Sequence, residues 1–357
     1  MAQTILFLAH VDESGTNLPK AAYDALGAAI DITSQLGAAL TIALIGESIQ
    51  SAAQAVAGAG AKIYGVQGME FAHPRYASDA AAAEAICHSV SSQIVIAPNT
   101  SRFSRVLPGV AQRLKGSLDT HLTAVEVVNG ALTVKRWFYR QRIEASLQRE
   151  ARPWILLLDS GCHQPWSGTP VPAAKVEIVD VPLPAEAKRT TFSCVRTPST
   201  GAQTIRPDAK LLFVAGAGWT KKQPDGKSHA AEAESLILEF LQNSGASLGG
   251  SKSLVDQSGE NQEVLRFMTH LNQVGQTGAT PRHPKGLSTC CHGEEPHVVG
   301  WRFINERRAV NLDANCGWAR GKADVLYVAD AFQVLEKLNA LLREKGSPKE
   351  ATAPAGI

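Results

Sequence analysis

The sequence predicts an α/β protein of two domains, each built around a parallel sheet. Short apolar runs alternate with segments whose apolar residues recur at helical spacing, which favours strands and helices in turn. The same alternation resumes beyond a stretch rich in proline, serine and threonine near residues 182–201. A length of 357 residues is sufficient for two domains of ordinary size.

The composition is typical of a folded protein in water. Hydrophobic residues make up 44% and charged residues 19% of the chain, and the formal net charge is +2. That charge is too small for the electrostatic footprint of a nucleic-acid or anionic-membrane binder. No apolar stretch is long enough to span a bilayer, and the N-terminus lacks the basic start of a signal peptide. Six irregularly spaced cysteines favour a reducing, cytoplasmic location.

Residues 1–188 are predicted to form the first domain, in which strands alternate with helices up to about residue 115. The expected strands lie at 5–9, 40–45, 62–66 and 93–97, and the expected helices at 19–37, 51–57, 79–90 and 105–115. Such an order favours a parallel sheet with helices on its faces. Four further strands follow with little helix between them, at 122–128, 131–137, 145–148 and 154–158, and we expect them to be antiparallel.

Residues 189–207 are predicted to be a linker, and residues 208–345 a second, Rossmann-like α/β domain. Its expected strands lie at 210–215, 297–301, 308–312 and 325–329. Ser228 is the expected N-cap of a helix whose apolar face includes Phe240. A last helix is expected from 332 to 343, and residues 346–357 have the composition of a disordered tail.

A polar, glycine-rich run in the second domain is the strongest candidate for a binding site. It reads Gln273-Val274-Gly275-Gln276-Thr277-Gly278. Its glycines leave backbone N–H groups open to a ligand, with an amide and a hydroxyl beside them. Taken alone, the run is equally consistent with a turn between two elements.

The surrounding blocks resemble those of the electron transfer flavoprotein alpha subunits, across nearly the whole chain. That family carries V-G-Q-T-G, which is intact here from Val274 to Gly278. The family blocks S-G-A-I-Q-H, I-N-K-D and A-D-L-F are matched by residues 292–297, 310–313 and 329–332. Upstream, G-A-S-R-A-A-V-D is matched by residues 249–256, and 96–98, 107–108 and 136–139 echo family blocks in the first domain.

This resemblance implies an FAD held by the second domain and a beta subunit paired through the first. Val274, Gly275, Gln276 and Thr277 would line the isoalloxazine and the neighbouring ribityl chain, with the Thr277 hydroxyl near flavin N5. His297 would lie at the pyrimidine end, where a donor or positive charge stabilises reduced flavin. The remaining residues matched to the FAD site are Gly216, Gly218, Ser251, Lys252, His292, Gly293, Asn311 and Asp330.

Asn311 and Asp330 would hold the adenosine end, since amide and carboxylate groups suit adenine and ribose hydroxyls. Ser251 would contact phosphate or the approach to the ring. The resemblance also implies that electrons come from a dehydrogenase and pass toward a membrane quinone reductase.

The chain departs from the family pattern at charged positions. Lys252 stands where the family has arginine, so the charge remains but planar bidentate bonding is lost. The phosphate-loop arginine is replaced by Ala217, for which Lys221 or Lys222 could supply a point charge. Glu294 and Glu295 replace a small residue pair, and carboxylates near a pyrophosphate repel it. These changes also fit a second hypothesis, in which the chain is a flavin-poor adaptor subunit of a larger dehydrogenase complex.

Two other kinds of site fit the sequence less well. The run Gly216-Ala217-Gly218 after a strand is part of a dinucleotide fingerprint, but the third glycine is missing. A metal site at Cys290, Cys291, His292, His297 and Cys316 would need a ligand spacing that matches neither zinc knuckles nor ferredoxins. Because no nucleophile elbow, metalloprotease or phosphate-loop motif is present, we expect an electron carrier without a small-molecule substrate of its own.

Overall fold

A computed structural model describes residues 3–12, 14–139, 141–194, 205–255, 263–275, 280–290, 303–315 and 323–346. The chain divides into two compact units, residues 1–195 and residues 196–357. Each unit contains one sheet, and each sheet has helices packed against it. The predicted α/β class is therefore confirmed.

The first unit contains a nine-stranded mixed sheet. Its strands are β1 (Thr4–His10), β2 (Ala39–Gly46), β3 (Lys62–Gln67), β4 (Ile94–Pro98), β5 (Ser117–Val128), β6 (Ala131–Phe138), β7 (Ile143–Leu147), β8 (Trp154–Leu158) and β9 (Val176–Ile178). They lie in the order β7-β6-β5-β8-β4-β1-β2-β3-β9, and only the β5–β6 and β6–β7 pairs are antiparallel.

The direction of β8 corrects one prediction. The expected antiparallel segment is confirmed for β5, β6 and β7, but β8 runs parallel to both its neighbours, β4 and β5. All five residues of β8 are buried, and its Trp154–Leu158 run is continuously apolar. Such a run is typical of a strand covered on both faces in a parallel sheet, which explains the difference.

Four helices cover the first sheet: α1 (Lys20–Leu36), α2 (Gln50–Val56), α3 (Tyr76–Val90) and α4 (Ser101–Arg113). Two separate apolar cores lie on the two faces of the sheet, with α1 and α2 on one and α3 and α4 on the other. Helix α4 starts four residues earlier than expected, because the Thr100 side chain accepts the Phe103 N–H and caps it.

The second unit contains a five-stranded parallel sheet. Its strands are β10 (Leu211–Ala215), β11 (Ser247–Gly250), β12 (His283–Cys290), β13 (Ile304–Asn311) and β14 (Val325–Val328). The α-helices among its described residues are α5 (Ala230–Ser244), α6 (Lys252–Val255) and α7 (Ala331–Lys345). The order β11-β10-β12-β13-β14 reverses direction between β10 and β12, the point where open α/β sheets bind ligands beyond the carboxyl ends of their strands.

Three sequence predictions for the second unit have different outcomes. Strand β12 was not predicted, because Pro284 and Gly286 interrupt its pattern and Leu287 is its one large apolar residue. Ser228 is not the cap of α5: His229 holds that position, and the Ser228 hydroxyl bonds Thr220 O instead. The strand expected at 297–301 and the tail at 347–357 lie outside the described residues.

Across the ranges that the structure describes, none of the helices has the length and apolar character needed to cross a bilayer.

Candidate functional site

The predicted site residues that the structure describes lie along the carboxyl edge of the second sheet. The register aligns Ala215 with Gly250 and Thr289, and Thr289 with Val310. The residues immediately after these positions therefore share one level of the sheet. They include Gly216 after β10, Ser251 after β11 and Asn311 at the end of β13.

The start of the V-G-Q-T-G run pairs with the end of β11. Gln273 forms a parallel bridge with Gly250, and the Val274 N–H donates to Gly250 O at 3.0 Å. This pairing needs a glycine at position 249, since a Cβ there would lie 2.4 Å from Val274 Cγ2. The structure thus brings Val274 and Gly275 beside Ser251 and the exposed Lys252, which are more than twenty residues away in sequence.

Ser251 itself is committed to the local fold. Its side chain is 1% exposed, and its hydroxyl accepts the Leu254 N–H at 3.2 Å. The Ser251 N–H donates to Ala215 O at 2.9 Å, which ties the end of β11 to the end of β10. Ser251 therefore stabilises the backbone at the carboxyl ends of β10 and β11.

Gly275 occupies a conformation that other residues rarely adopt. Its φ is +82°, and a Cβ at this position would lie 3.2 Å from the Phe303 ring. The Gly275 N–H donates to Thr280 Oγ1 at 2.8 Å. The four residues between Gly275 and Thr280 carry Gln276 and Thr277, and they lie outside the described residues.

The loop after β10 closes onto β12. The Gly216 N–H donates to Thr289 O at 2.7 Å, and the buried Trp219 indole donates to Thr289 Oγ1 at 2.8 Å. Gly218 is also buried, and its carbonyl accepts the Lys221 N–H. A phosphate at this loop would have to compete with Thr289 for the Gly216 N–H.

Asn311 and Asp330 meet at the ends of β13 and β14. The Ala329 N–H donates to Asn311 O at 3.2 Å, which places Asp330 next to Asn311. Asn311 is fully buried; its Oδ1 accepts the Asp313 N–H, whereas its Nδ2 has no hydrogen-bond partner among the described residues. Asp330 is half-buried and caps α7 by accepting the Gln333 N–H.

Five predicted site residues cannot be placed. Gln276, Thr277, His292, Gly293 and His297 lie outside the described residues.

Most of the cysteine and histidine run weighed as a metal site also lies outside the described residues. Within the ranges that are described, no three His, Cys, Asp or Glu side chains are grouped so as to hold a metal ion.

A partly buried histidine lies at the start of α5, after the β10 loop. His229 contacts Asp225 at 2.8 Å and Glu232 at 3.0 Å. Its hydrogen bond with Asp225, followed by that with Glu232, raises the pKa of the His229 imidazole. The start of α5 therefore carries a cation at higher pH than an isolated histidine would.

Two residues of this edge were missed by the sequence predictions. Thr280 follows the glycine-rich run and Thr289 lies in the unpredicted strand β12, and both are nearly fully buried. For Thr280 the available signal was its position just past the V-G-Q-T-G run and just before Pro281. For Thr289 no local signal existed, because its partners Val214 and Trp219 are about seventy residues away.

Comparison with known proteins gives two findings. Residues 8–186 match the family model of the Electron transfer flavoprotein domain. Protein FixB of Escherichia coli (strain K12) is 26% identical to the chain over 253 residues, which cover 70% of this chain and 73% of that protein. Protein FixB of Shigella flexneri matches with the same identity and coverage.

Proposed function

The chain belongs to the electron transfer flavoprotein family as a divergent relative of its alpha subunits, and from this premise we propose that it carries electrons through an FAD held by its second unit. In the proposed role, it pairs with a beta subunit, takes electrons from a dehydrogenase and passes them toward a membrane quinone reductase. A cytoplasmic location is part of the same proposal.

The observation that carries this proposal is the unsatisfied Asn311 amide. A buried N–H donor without a partner costs about 1–3 kcal/mol, so a ligand that supplied an acceptor to it would be stabilised by that contact. Asn311 Nδ2 lies at the carboxyl edge of a parallel sheet, where ligands of such sheets bind, and adenine offers ring nitrogens as acceptors. The residues present therefore fit the adenosine end of a dinucleotide.

The spread of the site residues also supports an elongated ligand. Ser251 follows β11 at one edge of the sheet and Asp330 follows β14 at the other edge. Four strand spacings of about 4.8 Å separate those strands, a width of about 19 Å. A mononucleotide would not reach both groups, whereas a dinucleotide lying along the edge would.

The chain's own residues would bind and orient the cofactor. Asn311 and the half-buried Asp330 would hold the adenosine, the amide by donating and the carboxylate by accepting from ribose hydroxyls. Lys252 would supply positive charge beside the run that starts at Val274, and Gln276 and Thr277 would lie along the ring. FAD supplies the electron-transfer chemistry when bound, and the protein tunes its potential through neighbouring charges and hydrogen bonds.

A flavin-poor adaptor role is the second candidate, and the loop after β10 favours it. Ala217 is buried where an arginine would face phosphate, and the Gly216 N–H is engaged by Thr289 O. In that case the chain would retain the fold and organise a dehydrogenase complex without useful flavin chemistry.

The visible absorption spectrum of the protein purified with its beta-type partner distinguishes the two roles. A flavin spectrum at about one FAD per heterodimer supports the carrier. Colourless protein that binds no added FAD, in a sample whose two subunits still co-purify, supports the adaptor. A heterodimer that fails to form would contradict both roles.

A further inference from the structure

We propose that His121 is a proton-dependent switch, whose ring exchanges a hydrogen bond with Asn99 for one with Asp159 when it is protonated. His121 lies on β5 in the first unit, level with the carboxyl end of β8. The cofactor site is proposed in the second unit, so this inference does not depend on the proposed function.

A bulge in β5 brings the His121 side chain to this position. The register of β5 shifts between Asp119 and Leu122 against β8, and between Leu122 and Ala124 against β6. His121 has a φ of +53°, in the left-handed region that histidine enters more readily than most residues do. Bulges redirect side chains out of the regular alternation, and here the imidazole meets the residues that follow β4 and β8.

Backbone hydrogen bonds hold the two partners of His121 beside it. The Asp159 N–H donates to Leu122 O at 2.9 Å, and the Asn99 N–H donates to Leu158 O at 2.8 Å. These bonds tie the ends of β4 and β8 to the bulge of β5. As a result, His121 Nδ1 lies 2.9 Å from Asn99 Nδ2 and 3.3 Å from Asp159 Oδ1.

The orientation of the Asn99 amide is fixed by its other two partners. Asn99 Nδ2 lies 2.6 Å from Asp159 Oδ1, and since a carboxylate only accepts hydrogen bonds, the amide atom that faces it must be the nitrogen. Asn99 Oδ1 accepts the Ser104 hydroxyl at 2.6 Å. The second hydrogen of Asn99 Nδ2 is therefore the one that faces His121 Nδ1.

The two protonation states of His121 cannot keep the same partner at Nδ1. A neutral imidazole with its proton on Nε2 accepts the Asn99 N–H at Nδ1. A protonated imidazole carries a hydrogen on Nδ1 as well, and this hydrogen faces a donor at Asn99 but an acceptor at Asp159. Binding of a proton from solvent therefore breaks the bond to Asn99 and forms one to Asp159.

Nearby charges determine the pH at which the partner changes. Among the described residues, the charged groups that face His121 are Asp159, which follows β8, and Arg136, which lies on β6. The hydrogen bond with Asp159 raises the pKa of His121 above its ordinary value of 6.5, against the opposing effects of partial burial and of Arg136. The stabilising contribution of that bond is therefore fully present below pH 6.5 and is lost as the pH rises through the raised pKa.

The experiment follows the His121 ring and the Asn99 amide by NMR, in the full chain labelled at histidine and asparagine, from about pH 5 to pH 9. His121→Asn removes the ring and suits the left-handed backbone, so it assigns the His121 signals. Asp159→Asn removes the charge but keeps an oxygen that accepts from Asn99. Asp31→Asn is the matched control, because Asp31 contacts a different histidine, His163, at 3.0 Å.

Above the His121 titration midpoint we expect a nitrogen–nitrogen coupling between Asn99 Nδ2 and His121 Nδ1, because a hydrogen bond transmits such coupling. Below the midpoint we expect the coupling to be lost. Asp159→Asn should lower the His121 midpoint, whereas Asp31→Asn should leave it unchanged.

Three results would overturn the proposal. The first two are a coupling that persists at both ends of the pH range and a coupling that is absent at both ends. The third is an equal His121 midpoint in Asp159→Asn and in the unchanged protein. If Asp159→Asn does not fold, the pH dependence of the coupling in the unchanged protein decides the proposal alone.

Discussion

Two asparagines at the carboxyl ends of parallel strands, one in each sheet, differ in how their side-chain groups are satisfied. Asn99 follows β4 in the first unit, where its Nδ2 donates to Asp159 Oδ1 at 2.6 Å and its Oδ1 accepts from the Ser104 hydroxyl at 2.6 Å. Asn311 ends β13 in the second unit, where its Nδ2 has no partner among the described residues. Both lie at carboxyl ends of parallel strands.

The neighbouring histidine of the first unit gives the same contrast. His10 Nδ1 contacts Val11 O at 2.9 Å, and His10 Nε2 contacts Thr100 Oγ1 at 2.8 Å. A neutral imidazole satisfies both contacts by donating from Nδ1 to the carbonyl and accepting the Thr100 O–H at Nε2. These polar groups of the first edge therefore satisfy one another, whereas at the second edge the Asn311 amide donor has no partner among the described residues. A position at the carboxyl end of a parallel strand therefore does not by itself decide whether a polar side chain is satisfied within the protein.

The largest expected effect concerns a buried ion pair in the first unit and its contribution to the stability of that unit. Arg102 donates two hydrogen bonds to the fully buried Asp79. Arg102→Met should lower the free energy of unfolding of this unit by about 3–5 kcal/mol, because it leaves a buried carboxylate unpaired. The loss is measured by unfolding the protein in urea and monitoring each unit separately through hydrogen exchange of its peptides.

The matched control is Arg113→Met, which removes an exposed pair with Glu84 and should cost no more than about 1 kcal/mol. Equal losses of unfolding free energy in the two variants would mean that the buried Arg102–Asp79 pair contributes no more to stability than an exposed ion pair.

The next prediction concerns pH and the satisfied edge. Burial lowers the pKa of His10 from 6.5 to about 4. Between pH 6.5 and pH 4, His10 is protonated in the unfolded chain but neutral in the folded protein. The stabilising contribution of neutral His10 is therefore fully present above pH 6.5 and is lost as the pH falls toward 4. The loss amounts to about 3 kcal/mol. The unfolding midpoint in urea, measured at several pH values from 7.5 to 4, reports it.

His10→Gln isolates this contribution, because burial also lowers the pKa of His283 in the second unit and gives a change of the same sign. The variant should flatten the pH dependence of the first unit alone. An unchanged slope there would show that other groups cause the acid sensitivity.

The smallest effect on stability is expected at Asn311, where the comparison is most direct. Asn311→Leu should lower the unfolding free energy of the ligand-free protein by only about 1 kcal/mol, since it breaks one hydrogen bond, from the Asp313 N–H, and the amide donor that it removes has no partner among the described residues. Asn99→Leu should lower the unfolding free energy by about 1–3 kcal/mol, since it leaves Asp159 and Ser104 without their hydrogen bonds to Asn99. Asn311→Leu should nevertheless weaken FAD binding by about tenfold or more, measured by flavin fluorescence. A large loss of stability in Asn311→Leu together with unchanged FAD affinity would show that Asn311 has a structural role and does not bind FAD.

Much of the fold could be predicted from local pattern. Helix α1 ends at Leu36, just before the expected stop at Gly37, and strands β1 to β4 lie where alternating apolar runs place them. These elements follow from spacing and from glycine at a left-handed position, which are properties of neighbouring residues. The direction of β8 and the existence of β12 were not predictable in this way, since both depend on partners distant in sequence.

For the candidate site, too, some features follow from local sequence and others depend on residues distant in the chain. The sequence by itself determined the family resemblance, the glycine-rich run and the positions of Asn311 and Asp330 within family blocks, because short motifs are local. Only the tertiary structure decided that Val274 pairs beside Ser251, that Thr280 accepts the Gly275 N–H, and that the buried Asn311 amide donor has no partner in the part of the chain that the structure describes. Whether a donor is satisfied depends on which strand ends lie together, and that depends on packing between residues far apart in the chain.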